Sequence, residues 1–172
     1  MVYNAVRFFG AHHVPPVGEG CELILVAWRF KTPENIGGVM RLAGNLGVKK
    51  VVAVESHIGN VSWDKLKRVA RTAFAHTEME RVPEADVLQV IPHGHVKVAL
   101  ETAQNSQNIF KAALPSKMVL FLGNEQAGLP VYLVEQCDLC VHIPLTGNVK
   151  SMNVAQAATV AAFEWYRQHS GV

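Results

Sequence analysis

The sequence predicts an α/β fold, a mostly parallel sheet with helices on both faces, and three observations carry that prediction. Aliphatic runs at residues 22–28, 51–54, 96–100 and 118–122 are strand-length and alternate with helix-length segments. Within them Leu, Ile and Val follow one another with few polar interruptions, as in strands buried on both faces. The composition agrees: 49% hydrophobic and 17% charged residues, with a mean hydropathy of +0.15, describe a chain with a large core and no disordered majority.

At 172 residues the chain suits one well-buried domain and is short for two, so residues 1–172 are expected to form a single domain with 1–21 as a loop-like extension. The longest apolar runs fall far below the ~20 residues of a membrane helix, so no membrane partner is expected. The first ten residues contain two phenylalanines and one arginine but no long apolar core or cleavage site, so a cytoplasmic location is expected rather than secretion. A net charge of +2 permits a polyanionic partner without arguing for one. Three cysteines provide no disulfide framework and suit a reducing compartment. Cys137 and Cys140 form a CxxC followed by His142, but no second ligand pair exists, and Leu139, Val141 and Ile143 alternate around Cys140 as in a strand; no metal is expected. His12-His13 and His93-Gly94-His95 lack partners at metal spacing and read as loop histidines.

Taken in order, a stretch rich in Gly and Pro at 10–20 precedes the strand at 22–28. Thr32-Pro33-Glu34-Asn35 marks a turn into a helix that ends near Gly47. The strand at 51–54 leads into a polar loop around Gly59 and a basic helical stretch over 63–75. After the strand at 96–100 come a short helix at 107–113, a strand at 118–122 breaking at Gly123, and a strand at 140–143 stopped by Pro144. The final helix, 152–168, carries Val154, Ala155, Ala157, Ala158, Ala161, Ala162 and Trp165 over more than one face, so it is expected to pack closely against other protein, on two sides.

Three segments hold more Gly, Asn and Pro than a core requires, each at or beyond an element end, where α/β folds gather ligands. They are Asn35-Ile-Gly-Gly-Val-Met-Arg41-Leu-Ala43, Leu122-Gly-Asn-Glu-Gln-Ala-Gly128-Leu129 and Ile143-Pro-Leu-Thr-Gly-Asn-Val-Lys-Ser-Met-Asn153-Val154. In this order and spacing they closely resemble the three motifs of the SpoU branch of the SPOUT RNA methyltransferases, over residues 22–167. GxExxGL alone is weak; followed some twenty residues later by IPxxGxxxSxNV at a helix start, it is specific.

The resemblance implies a deep trefoil knot within about residues 120–168, which composition cannot reveal because knots are rare exceptions to chain-connection rules. It also implies S-adenosylmethionine as cofactor, held by Leu122, Gly123, Asn124, Gly128, Ile143, Leu145 and Met152, with Thr102 closing the other side. The implied reaction is methylation of an RNA ribose 2′-oxygen, with Arg41, Asn35, Glu125, Ser151 and Asn153 at the reacting centre. A guanidinium is a poor base, so Arg41 is expected to grip a phosphate and stabilise charge developing on the oxygen. Capping alone also explains an Asn at 35, and Ser151 and Asn153 are good caps for the last helix as well as site residues.

Arg29, Lys31, Lys65, Lys67, Arg68 and Arg71 are candidates for RNA phosphate contacts, with a solvated basic face as the alternative. The resemblance further implies a homodimer through the C-terminal helix. The stretch Val98 to Thr102, Ser106 and 120–125 is most similar to relatives that methylate a guanosine in the tRNA D-loop, so tRNA is favoured over rRNA as partner. Without the RNA-binding extension that many relatives carry, specificity is expected from the catalytic domain and its dimer partner. The rival reading is a catalytically silent RNA-binding protein with the same fold.

Overall fold

A computed structural model describes residues 4–55 and 63–171. The elements are, in order, α1 (Ala5–Ala11), β1 (Glu22–Trp28), α2 (Pro33–Leu46), β2 (Lys50–Val54), α3 (Trp63–Ala70), β3 (Glu78–Val82), β4 (Val96–Leu100), β5 (Gln107–Asn108), β6 (Lys117–Leu122), α4 (Val131–Glu135), β7 (Leu139–His142) and α5 (Val154–His169). The strands form one sheet in the order β3-β2-β1-β6-β4-β7-β5, and every pairing between them is parallel. All strands therefore present their carboxyl ends on the same edge.

The pleat divides the core into two layers. Leu23, Leu25 and Ala27 face a layer built with α2, α3 and α5, whose members include Met40, Leu66 and Trp165. Ile24, Val26 and Trp28 face the other layer, whose members include Val87, Leu129 and Leu133 of α4. Helices thus occupy both faces, but the three long ones share one.

Where the structure departs from the sequence reading, the causes are local. Residues 1–21 are not simply loop: Asn4 accepts from the Arg7 N–H and caps α1. The helical stretch expected over 63–75 stops at Ala70, where Arg71 takes a left-handed φ of 52° and a 3-10 turn follows. The helix expected at 107–113 is instead the two-residue β5, paired to β7, followed by a turn. The polar loop around Gly59 lies outside the described residues. His95 precedes β4 in a loop as expected, yet its ring is buried with Nε2 3.2 Å from Glu22 Oε2.

Two helix contacts depend on missing side chains. The α2 residues Gly37 and Gly38 face α3 and α5 respectively: a Cβ on Gly37 would lie 2.6 Å from the Val69 Cβ, and one on Gly38 3.0 Å from the Ala155 Cβ. On α5, Ala158, Ala161, Ala162 and Trp165 are buried in the chain's own core, so most of the small-residue face is used internally. Phe163 remains exposed. Gly37→Ala is expected to lower the thermal midpoint, because overpacking at about 1–3 kcal/mol outweighs the ~1 kcal/mol gained in helix propensity. A raised midpoint would mean that α3 does not press on this position.

Candidate active site

A cavity of about 580 Å³ opens at the carboxyl edge of the sheet. The parallel arrangement brings the ends of β4, β6 and β7 together there, which is where open α/β sheets form crevices. Thr102 follows β4; Leu122, Gly123, Asn124, Glu125 and Gly128 follow or end β6; Ile143 and Leu145 follow β7; Ser151, Met152 and Asn153 lead into α5; and all of them line the cavity with Asn35. The three segments singled out in the sequence thus meet around one space.

A run of hydrogen bonds holds them in place. Asn153 Oδ1 accepts from the N–H groups of Ala155 and Gln156, capping α5. Its Nδ2 donates to Asn35 Oδ1 at 2.9 Å, and Asn35 Nδ2 donates to Glu125 Oε1 at 2.8 Å. The Glu125 carboxylate also accepts from the Lys31 and Thr32 N–H groups and the Thr32 hydroxyl. Thr32 makes no side-chain cap of its own. Glu125 therefore serves the start of α2 from another part of the chain, with the helix dipole in its favour.

Two roles considered from sequence are corrected. Asn35 is not a cap: α2 begins at Pro33 after Thr32, and Asn35 sits inside the first turn, only 8% exposed, bonded on both sides. Ser151 does not cap α5; that task falls to Asn153, and Ser151 lies exposed on the preceding loop.

The β6 turn is closed by reciprocal backbone bonds between Asn124 and Gly128. Gly128 has a left-handed φ of 67°, and a Cβ on Gly123 would lie 2.6 Å from the Gly128 carbonyl carbon. The chain folds back on itself here so closely that neither position accepts a side chain. Glu101 secures the turn, its carboxylate accepting from the N–H groups of Leu129 and Thr102.

Glu101 and His142 also line the cavity, although neither is among the site candidates read from the sequence. His142 Nδ1 meets the Ser106 hydroxyl at 2.9 Å. Each stands at a strand's carboxyl end, and that position was the only available signal. Arg41 does not line this cavity. It is exposed on α2, ~9 Å along the axis from Asn35 at 1.5 Å per residue, between the positions that face α3 and α5.

The basic candidates divide. Arg29 pairs with Glu84 at 3.2 Å, and the Lys31 ammonium donates to Gln126 Oε1. Lys65 pairs with Glu34 at 2.6 Å, while Lys67, Arg68 and Arg71 are exposed on α3 and the turn after it. Cys137 precedes β7, while Cys140 lies within it and its thiol donates to the Glu101 carbonyl; burial pushes the Cys137 thiol up to about 12 and raises that of Cys140. Both thiols therefore favour the protonated, unreactive form at neutral pH.

Burial alone would raise the Glu125 carboxyl, but the bonds from Asn35, Lys31 and Thr32 together hold it below the usual carboxylate range. Its stabilising contribution is complete above that range and fades as pH falls through the lowered value. Glu125→Gln is expected to destabilise the fold by about 1–3 kcal/mol at neutral pH, towards the lower end because the group is partly exposed. In denaturant titrations across pH, the gap to wild type should close in acid; a gap independent of pH would remove the charge from the explanation.

Residues 22–163 match the model of the SpoU rRNA Methylase family. Among similar proteins, the uncharacterized tRNA/rRNA methyltransferase YfiF of Escherichia coli O157:H7 is 32% identical over 86% of this chain and 43% of its own. The tRNA (guanosine(18)-2'-O)-methyltransferase of Saccharomyces cerevisiae is 31% identical over 86% of this chain and 10% of its own. The chain thus spans less than half the length of these relatives. A solved structure from work on the 2-OH methylation of C/U34 on tRNA superposes with a TM-score of 0.77 at 30% identity, over 86% of this chain and 96% of that one. The AdoMet-bound rRNA methyltransferase from Sinorhizobium meliloti superposes with a TM-score of 0.76 at 28% identity, over 90% of this chain and 58% of that one. With a family model matched over most of its length and a sheet of the same architecture, the chain belongs to the SpoU methylase family.

Proposed function

We propose that the chain is an S-adenosylmethionine-dependent RNA ribose 2′-O-methyltransferase, with residues 1–172 forming a single catalytic domain. The observation that supports this most is the convergence of the three motif segments on a single cavity at the carboxyl edge of the sheet. The cofactor fits what is present. The volume lies within the ~300–1,000 Å³ range of small-molecule sites, and the tight turn from Gly123 to Gly128 lets backbone approach a ligand closely. Leu122, Ile143, Leu145 and Met152 supply apolar wall; Thr102 and Asn124 supply polar atoms.

Bound there, S-adenosylmethionine supplies an electrophilic methyl group on a sulfonium. The residues around it have to present a ribose 2′-oxygen in line with that methyl and stabilise the oxygen as its proton leaves. Ser151 and Asn153 flank this side of the cavity, with Asn35 and Glu125 keeping Asn153 in position. Arg41 would grip the adjacent phosphate and offset charge on the oxygen. Its outward place on α2 supports an arrangement in which the Arg41 of one copy serves the cavity of another. We therefore read the active species as a homodimer, with the exposed side of α5 at the interface. The strand order supports the expected knot: β7 lies between β4 and β5, so the connection at 101–106 passes the carboxyl end of β7, where the tail emerges.

Relatives named for tRNA and for rRNA both resemble the chain, and we favour tRNA, with a D-loop guanosine as the leading target and rRNA as the alternative. No helix among the described residues is long and apolar enough to cross a membrane; a cytoplasmic site of action is part of this proposal.

The test is incubation with labelled S-adenosylmethionine and unmodified tRNA or rRNA, followed by mapping of alkali-resistant positions. One 2′-O-methylated site is the expected result. Cofactor binding by calorimetry without transfer to either RNA would favour the silent binding protein. Arg41→Ala is expected to cut turnover by about a hundredfold or more while cofactor affinity holds; equal loss of both would move Arg41 to the cofactor side. A monomeric mass by light scattering at micromolar concentration would count against the dimer.

A further inference from the structure

Next to the large cavity lies a second, of about 300 Å³, with Asn124 and Gly128 in the walls of both. Its remaining walls include Trp28, Arg29, Lys31, Glu84 and Gln126. The cofactor-binding and methyl-transfer roles assigned above leave this space unused.

Arg29 is one of two non-glycine residues with a left-handed φ among the described residues. Such a conformation strains a residue that carries a Cβ, and glycine would adopt it freely. The backbone role at this point, a carbonyl that accepts from Asn124 Nδ2, is one glycine would fill equally well. The side chain must therefore account for an arginine here. Both side chains of its ion pair with Glu84 are about a third exposed, and an ion pair this open to water offsets little of the strain.

Glu84 is itself held in position. Tyr132 donates to its Oε1 at 2.7 Å, and the Tyr132 ring meets Trp28 edge-on, with centroids 6.2 Å apart. Burial and the neighbouring carboxylate push the Tyr132 phenol up to about 12, so it remains a donor. A guanidinium offers five N–H groups, of which Glu84 engages Nη1. The cavity thus combines a fixed carboxylate, a guanidinium with donors to spare, the Lys31 ammonium and the Trp28 wall. The volume suits one nucleotide base.

Resting on the methyltransferase reading, we propose that this second cavity receives the nucleotide adjacent to the methylated ribose. Glu84 accepts from a base N–H, while Arg29 and Lys31 donate to base acceptors or to the connecting phosphate. The large cavity then holds the reacting centre, and the small one sets which RNA sequence is presented to it.

The test uses the full chain with S-adenosylmethionine and unmodified tRNA and rRNA, and compares wild type with Arg29→Gly and Glu84→Gln. Arg29→Gly removes the strain together with the guanidinium, so its melting temperature should hold or rise. Its KM for RNA should rise by roughly tenfold, with cofactor affinity by calorimetry unchanged. Glu84→Gln should alter which base is preferred beside the modified position. An unchanged KM in Arg29→Gly, or a fall in cofactor affinity, would overturn the proposal. If wild type transfers no methyl group, the methyltransferase reading fails on its own. Filter binding of the same RNAs then decides this site: roughly tenfold weaker binding by Arg29→Gly supports it, and equal binding overturns it.

Discussion

The run of bonds from Asn153 through Asn35 to Glu125 is the constraint on which the rest of the site depends. Its polarity follows from chemistry: an amide both donates and accepts, whereas a carboxylate only accepts, so Glu125 is the natural terminus and the two asparagines relay between it and the α5 cap. The partners are far apart in sequence, yet they set the start of α2, the turn after β6 and the start of α5 relative to one another. A network of this kind holds its geometry only if every member is satisfied, because an unpaired buried amide costs more than a formed bond returns. Asn35, the most buried of the three, has both ends of its amide engaged.

Around that relay the backbone itself forms much of the wall. The turn that folds Gly128 and Leu129 back against Gly123, secured by Glu101, leaves main chain where side chains would otherwise fill the crevice. The parallel sheet supplies the remaining order, since its strands end together at this edge. Helix packing acts at a distance: α2 approaches α3 and α5 closely enough, through Gly37 and Gly38, for its first turn to reach both the β6 turn and the α5 cap.

The central strands were legible because their aliphatic runs are buried on both faces. The two that escaped, β3 and β5, are the sheet's edges. Glu78, Glu80 and Arg81 break any apolar run in β3, and β5 is only two polar residues, Gln107 and Asn108, whose strand character comes from pairing with β7. Edge strands are half solvated and need no such run. The candidate site was legible where Gly, Asn and Pro recur at fixed spacing. It was not legible at Glu101 and His142 as cavity residues, since each is a single residue at a strand end; Arg29 was legible only as a basic candidate, because its backbone conformation leaves no mark in composition. The alanines of α5 announced close packing but not with what, and most of them turn inward to this chain's own core.

The central claim is that the carboxyl-edge cavity, framed by the relay, is the cofactor site. Backbone amide chemical shifts recorded during titration with S-adenosylmethionine test it most directly. Saturable shifts concentrated at residues 100–102, 122–128 and 143–153 are expected, with the Asn35 side-chain amide responding alongside. Saturable shifts centred on the amino edge of the sheet, around Cys21 and His95, or no response at all, would contradict it.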